Sequence, residues 1–203
     1  MNDRQQGSKE EALTLELLQA IEQKNDVTQR HLADKLGVAL GLANSYLKRC
    51  VRKGLVKIHQ APANRYLYYL TPNGFTEKSR LTAQYLSHSF GYYRESSASI
   101  NSIYQICEKQ SWDKVILCGI SELAEIACIR AHEHSIKIVG VFEPDSKTQS
   151  FLNFQIFSNL DSYGQADAFI ITSLNKPKSI YEILLEKKQA DRILIPEILG
   201  IKK

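Results

Sequence analysis

The 203-residue chain has no aspartate or glutamate between Asp34 and Glu77. With 22 acids in all, a gap of this length would be expected to hold about four or five. Lys35, Lys48, Arg49, Arg52, Lys53, Lys57 and Arg65 all fall inside it. A surface that must only stay dissolved mixes its signs, whereas one that docks on phosphates drops its carboxylates. The plainer alternative is a solvated basic helix face. Cysteine is scarce and unpaired in pattern: Cys50, Cys107, Cys118 and Cys128 form no Cys-x-x-Cys and sit among apolar neighbours. That excludes a disulfide scaffold and predicts reduced, buried thiols. No apolar run approaches the roughly 20 residues of a membrane span, and residues 1–11 lack a signal-peptide core, so a cytoplasmic protein is expected. No Tyr-x-x-x-Lys and no assembled Ser-His-Asp order is visible, so no catalytic residues are expected and the chain reads as a non-enzyme.

At 43% hydrophobic content the chain can bury a real core. Its net charge of +4 is unevenly shared, with 14 Lys and Arg against 9 Asp and Glu in residues 1–96, and 12 against 13 in residues 97–203. The expected organisation is accordingly two domains, 1–96 and 97–203. The boundary is placed in the Gly- and Ser-rich stretch from Gly91 to Ser99.

In the first half, Leu13, Leu17, Leu18 and Ile21 recur at helical steps and predict a helix over 12–24. Thr28 is placed to cap a second helix over 29–36, which Gly37 ends. After a corner at 38–41, a third helix runs to about Lys53, with Ala43, Leu47, Cys50 and Val51 inward. Residues 55–60 and 66–70 read as two strands of a hairpin with Arg65 at its tip. Two helices joined by a short corner, followed by a wing, have the geometry of a winged helix-turn-helix that fits a DNA major groove. Asn44, Ser45 and Lys48 are then the candidates for base edges, and Arg49, Arg52 and Lys53 for phosphate or the domain surface. Thr28 and Gln29 at the start of the second helix complete the DNA-contact set, and Arg65 is placed for a minor groove. Leu40 and Leu42 stand beside the corner in exposed-looking positions, to contact thymine methyls or to pack elsewhere in the chain.

The stretch from Thr28 to Val38, then 47–56 and Leu70-Thr71-Pro72-Asn73-Gly74-Phe75, resembles MarR-type winged-helix regulators, in particular those associated with exopolysaccharide gene clusters. The resemblance covers about the first 90 residues and implies a regulator of transcription that binds double-stranded DNA. It also implies a homodimer built on helices beyond the wing, where Phe75, Leu81, Tyr85, Leu86 and Phe90 line a helix running from about Asn73 into the nineties.

The second half changes pattern. Val115 to Cys118 is a wholly apolar run ending at Gly119, and apolar runs at 136–142, 154–157, 168–172 and 193–195 alternate with helices. That predicts an α/β domain with a Rossmann-like parallel sheet of about five strands. Its first turn, Gly119-Ile120-Ser121-Glu122-Leu123-Ala124, keeps one glycine of the G-x-G-x-x-G dinucleotide fingerprint. Glu143 ends the second strand, where an acid binds ribose hydroxyls, or else belongs to an ordinary Glu-Pro-Asp turn. The candidate ligand site comprises Gly119, Ile120, Ser121, Glu122, Leu123, Glu143, Thr172 and Ser173. On this reading Gly119→Val removes ligand binding at little cost in stability. His132, His134 and Cys128 are read as solvated or structural, with no metal site expected.

This half is similar to the Rossmann-like domains that precede sugar acyltransferases and to those of nucleotide-sugar dehydratases, over about 85 residues. That similarity implies a nucleotide or nucleotide sugar as ligand. Two other readings stand beside the regulator with an effector-sensing or assembly domain. One is a redox regulator like the Rex repressor, which also joins a winged helix to a dinucleotide fold. The other is a nucleotide-sugar-binding enzyme with an N-terminal extension.

Overall fold

The computed structural model describes residues 2–62, 65–160, 165–187 and 190–201, with the side chains of residues 2–6, 8 and 65 outside the description. Contacts between residues divide the chain into two compact units, Met1–Ser89 and Phe90–Lys203.

The first unit begins with α1 (Asn2–Gln23), followed by α2 (Gln29–Lys35) and α3 (Leu40–Arg52), then the antiparallel pair β1 (Val56–Ala61) and β2 (Arg65–Leu70). Leu17, Leu18 and Ile21 of α1, Leu32 and Ala33 of α2, and Ala43, Tyr46, Leu47 and Cys50 of α3 form one core with Tyr68 and Leu81. Val51, expected inward, is only half-buried, and Tyr46 takes the inward position instead. α1 starts ten residues earlier than its apolar pattern, because its polar first turns carry no periodic signal. The wing is tied back by a hydrogen bond from the Tyr68 amide to the Asn25 carbonyl (2.8 Å).

The turn after the wing explains its Thr-Pro-x-Gly sequence. The Thr71 hydroxyl donates to the Gly54 carbonyl (2.6 Å) and accepts from the Gly74 amide (3.0 Å), capping α4 (Pro72–Lys109). Pro72 occupies the first helical position, where no amide is needed. Gly74 is required by contact, since a β-carbon there would lie 2.0 Å from the Leu55 carbonyl oxygen.

α4 runs through the stretch in which the boundary was expected. Gly91 to Ser99 is helix, not linker, within a continuous element of 38 residues. Ser96 is fully buried and Ser99 nearly so, and the Ser99 hydroxyl accepts from the Ile198 amide (3.3 Å). Ser96 and Ser99 are small where the helix is packed, whereas nothing beyond the helix's own backbone stands within 4 Å of the β-position of Gly91, so Gly and Ser content alone does not separate such a helix from a linker.

The second unit is an α/β sandwich. Its strands are β3 (Lys114–Cys118), β4 (Lys137–Phe142), β5 (Ser150–Phe151), β6 (Phe154–Phe157), β7 (Ala168–Ile171) and β8 (Ile193–Leu194), in the order β5-β6-β4-β3-β7-β8. Among the described residues the five expected strands pair in parallel, and the two-residue β5 adds a sixth, antiparallel strand at the edge beside β6. The side chains of β3 alternate between two cores. Val115 and Leu117 meet the C-terminal part of α4 and α5 (Glu122–Ala131), while Ile116 and Cys118 meet Ile180 and Leu184 of α6 (Pro177–Lys187). Both faces are covered, which is why these strands read as unbroken apolar runs. Tyr104 of α4 is buried and its hydroxyl donates to the Ala127 carbonyl (2.8 Å), locking α4 to α5.

Candidate nucleic-acid interface and the sheet crevice

The helix-turn-helix is set by its caps. Thr28 accepts from the His31 amide (3.1 Å) at the start of α2, and Gly37, at φ +60°, turns the chain out of it. α3 then buries Ala43, Tyr46, Leu47 and Cys50, at helical positions i, i+3, i+4 and i+7. The opposite face carries Gly41, Ser45, Lys48 and Arg52, all exposed. Of the expected DNA-contact residues, Thr28, Gln29, Ser45, Lys48 and Arg52 therefore reach solvent. Asn44 is half-buried, and its side-chain carbonyl oxygen is enclosed without a hydrogen-bond partner. The Arg65 side chain lies outside the described residues, as do Ala63 and Asn64 at the wing tip.

Arg49 turns away from this face. Its guanidinium donates to Glu10 of α1 (2.7 Å) and lies over the Tyr46 ring at 5.6 Å. The hydrogen bond and charge of Glu10 raise the Arg49 pKa above its usual value. This pair borders a cavity of about 440 Å³ between α1, α3 and α4, where Glu10, Glu11, Glu77, Arg49, Lys53 and Arg80 gather. Arg80 bonds Glu77 (2.8 Å) and reaches Glu11 (3.5 Å), and the Arg80 bond holds the Glu77 carboxyl below its usual range. The sequence reading missed this network because Glu10 and Glu11 were placed in a polar opening ahead of the first helix.

In the second unit, the residues expected to hold a ligand are brought together at the carboxyl ends of β3, β4 and β7, but their bonding groups are spent on each other. Ser121 caps α5, accepting from Leu123 (3.1 Å) and Ala124 (3.4 Å) while donating to the Thr172 carbonyl. Thr172 in turn donates to the Gly119 carbonyl (2.6 Å). Glu143 accepts from the Ile120 amide (3.0 Å), the position where a bound phosphate would otherwise sit. Gly119, at φ +111°, abuts Ser173 so closely that a β-carbon would lie 2.4 Å from the Ser173 amide nitrogen. The expectation that Gly119→Val is harmless to stability is thus corrected: this glycine is a packing requirement. Glu122 is exposed and Leu123 buried, while Lys176 pairs with Asp145 (3.0 Å) nearby.

His134 bonds Glu108 (3.0 Å) and tilts against the Tyr104 ring, so it is engaged structurally. Among the described residues, no group of three or more His, Cys, Asp or Glu gathers as metal ligands, and no helix is long and apolar enough to cross a membrane.

The geometry is that of a winged helix-turn-helix, and residues 11–57 match the family model described as winged helix-turn-helix DNA-binding. Among solved structures, the chain is similar to MepR, a transcription regulator of the Staphylococcus aureus multidrug efflux pump MepA, at 23% identity and a TM-score of 0.36, over 41% of this chain and 61% of that one. It is similar to the PcaV transcriptional regulator from Streptomyces coelicolor at 18% identity and a TM-score of 0.38, over 49% and 78% of the two chains. Human N-acetylserotonin methyltransferase in complex with SAM resembles it at 13% identity and a TM-score of 0.37, over 93% of this chain and 74% of that one. None of these likenesses assigns a role to a residue of this chain. No curated protein matches it.

Proposed function

We propose that the protein is a DNA-binding transcriptional regulator that lays α3 in the major groove, with residues 1–96 as the DNA-binding domain. The observation that carries this reading is the outward row Ser45, Lys48 and Arg52, exposed on a helix whose other face is locked in a core, within a segment free of acids. Ser45 and Lys48 face base edges. Arg52, Thr28 and Gln29 serve the phosphates, and Arg65 serves the wing. Arg49 is held by Glu10 and contributes mainly to the frame that positions α3.

A homodimer is part of the proposal. Phe75, Tyr85, Leu86 and Phe90 on α4 are between 45% and 60% exposed, more apolar surface than a solvated helix face needs. Two recognition helices about 34 Å apart suit a two-fold operator.

Residues 97–203 act as an effector-sensing or assembly domain. The mutual bonding of Ser121, Thr172, Gly119 and Glu143 favours assembly, or an uncharged metabolite, over NAD(H) or another pyrophosphate. Control of exopolysaccharide genes follows from the resemblance of the first 90 residues and belongs to the same proposal.

The test is the double charge reversal Lys48→Glu with Arg52→Glu, measured by mobility shift on the gene's own upstream region. It abolishes binding while circular dichroism stays unchanged. For the wild type, the logarithm of affinity falls by about 0.9 per log unit of salt for each phosphate neutralised. Binding that survives the double variant, or that ignores salt, refutes the reading.

A further inference from the structure

α3 exposes two leucines in its first turn, Leu40 at 44% and Leu42 at 46%. Neither joins the core, which this helix already fills with Ala43, Tyr46, Leu47 and Cys50. Leu42 precedes Ser45 by three residues, so the two side chains are neighbours on the helix surface and Leu42 flanks the outward row. Gly41 lies in that row. Apart from its chain neighbours and its own helix backbone, nothing stands within 4 Å of where its β-carbon would be, and its φ is not left-handed, so neither packing nor backbone conformation within the unit requires a glycine. Gly41 is the second residue of α3, where a glycine costs less than the roughly 1 kcal/mol it costs in a helix interior, but it still gains nothing from the unit's own packing. What a missing side chain does provide at this place is room for an external surface to approach the backbone. An apolar side chain beside a bare backbone, on a face otherwise basic and without carboxylates, fits one surface well. The DNA major groove offers phosphates at its walls and thymine methyl groups on its floor. An apolar protein partner would match Leu42 and leave Lys48 and Arg52 unanswered.

We infer that Leu42 reads thymine, packing on the 5-methyl group of a base in the major groove, with Gly41 allowing the first turn of α3 to sit deep enough for contact. This rests on the DNA-binding reading above and adds to it a base identity, for which a leucine is suited by its lack of any hydrogen-bonding group.

The experiment uses the full chain and duplexes recovered from a random pool by repeated selection, each resynthesised with deoxyuridine in place of thymidine. Removing one contacted methyl weakens wild-type binding about four-fold, which corresponds to about 0.8 kcal/mol. Leu42→Ala binds the thymidine and deoxyuridine duplexes alike, and its far-ultraviolet spectrum is that of the wild type because the side chain is half in solvent. Equal wild-type affinity for both duplexes overturns the inference while leaving DNA binding intact. So does a Leu42→Ala variant that keeps the wild-type preference for thymidine. Recovery of no bound duplex by the wild type overturns the DNA-binding reading itself, and this inference with it.

Discussion

Replacing Gly119 by alanine tests whether the crevice at the carboxyl end of the sheet is shut. The new β-carbon would lie 2.4 Å from the β-carbon and amide nitrogen of Ser173 and 2.5 Å from its α-carbon, against a backbone φ of +111°. A non-glycine residue in such a sparsely populated region costs about 1–3 kcal/mol. Forcing the Ser173 backbone aside costs roughly another 1–3 kcal/mol, since a strand end cannot rotate away as a side-chain tip can. The sum, about 4 kcal/mol, is a large fraction of the roughly 5–15 kcal/mol that stabilises a domain. With a urea m-value of about 2 kcal/mol/M it moves the midpoint down by about 2 M. The assay is specific to this unit because Trp112, the one tryptophan of the chain, packs against the core made by β3, α4 and α5. Urea unfolding followed by its fluorescence therefore ignores the winged helix. Gly200→Ala separates the two contributions: Gly200 has φ +61° but nothing within 4 Å of its β-position, so only the backbone strain of about 1 kcal/mol applies. A Gly119→Ala midpoint no lower than that of Gly200→Ala would refute the closed crevice and reopen the site to a pyrophosphate.

Three further outcomes are expected. Burial pushes the thiols of Cys50, Cys107 and Cys128 up to about 11 and that of Cys118 further, so an aromatic disulfide reagent at pH 8 meets four slow thiols until denaturant is added; one fast equivalent in the native protein contradicts this. Asp167 accepts from the amides of Lys114 (2.9 Å) and Asp113 (3.2 Å), which holds its carboxyl below the usual value. Its contribution is present above the unfolded carboxylate pKa and lost as pH falls through the lower folded one, so Asp167→Asn lowers the Tm at neutral pH and the deficit shrinks as the pH is taken down through the acid range; an equal deficit at neutral and strongly acidic pH argues against the linkage. Glu10→Gln removes the charge that holds Arg49, and the slope of log affinity for DNA against log salt steepens by up to about 0.9. An unchanged slope in an anisotropy titration shows that Arg49 stays off the DNA.

Where local chemistry and global packing agreed, the sequence was readable. Thr28, Gly37, Gly54 and the Thr71-Pro72-Asn73-Gly74 turn announce the ends of helices and strands through their own backbone requirements, and the structure places stops at each of them. The apolar runs of β3 and β7 are legible for the same reason, since burial on both faces leaves no room for alternation. The failures share a cause of the opposite kind. β5 is a two-residue edge strand whose pairing with β6 depends on a turn at Leu152, a non-glycine residue at φ +52°, and nothing in Ser150-Phe151 advertises it. Glu10 and Glu11 gained meaning only from Arg49, 39 positions away from Glu10, and from Arg80 on another helix.

The crevice at the carboxyl ends of β3, β4 and β7 shows most sharply where a motif stops being informative. A fingerprint is local, and Gly119 to Ala124 holds one glycine in the right place together with a good helix cap. Whether such a turn binds phosphate depends on what else approaches it, and here a carboxylate takes the Ile120 amide while a hydroxyl takes the Gly119 carbonyl, each from another strand. Glu143 comes from the end of β4, and Thr172 and Ser173 from the end of β7. An anion entering this turn must displace a carboxylate that is tethered to the protein and therefore present at high effective concentration, and it must do so beside the negative charge it has displaced. Serine at position 121 does not merely lack room for a pyrophosphate. Its hydroxyl is the hinge of a hydrogen-bonded seal joining the ends of β3 and β7, a structural use of a turn that in a dinucleotide-binding protein stays open for its cofactor.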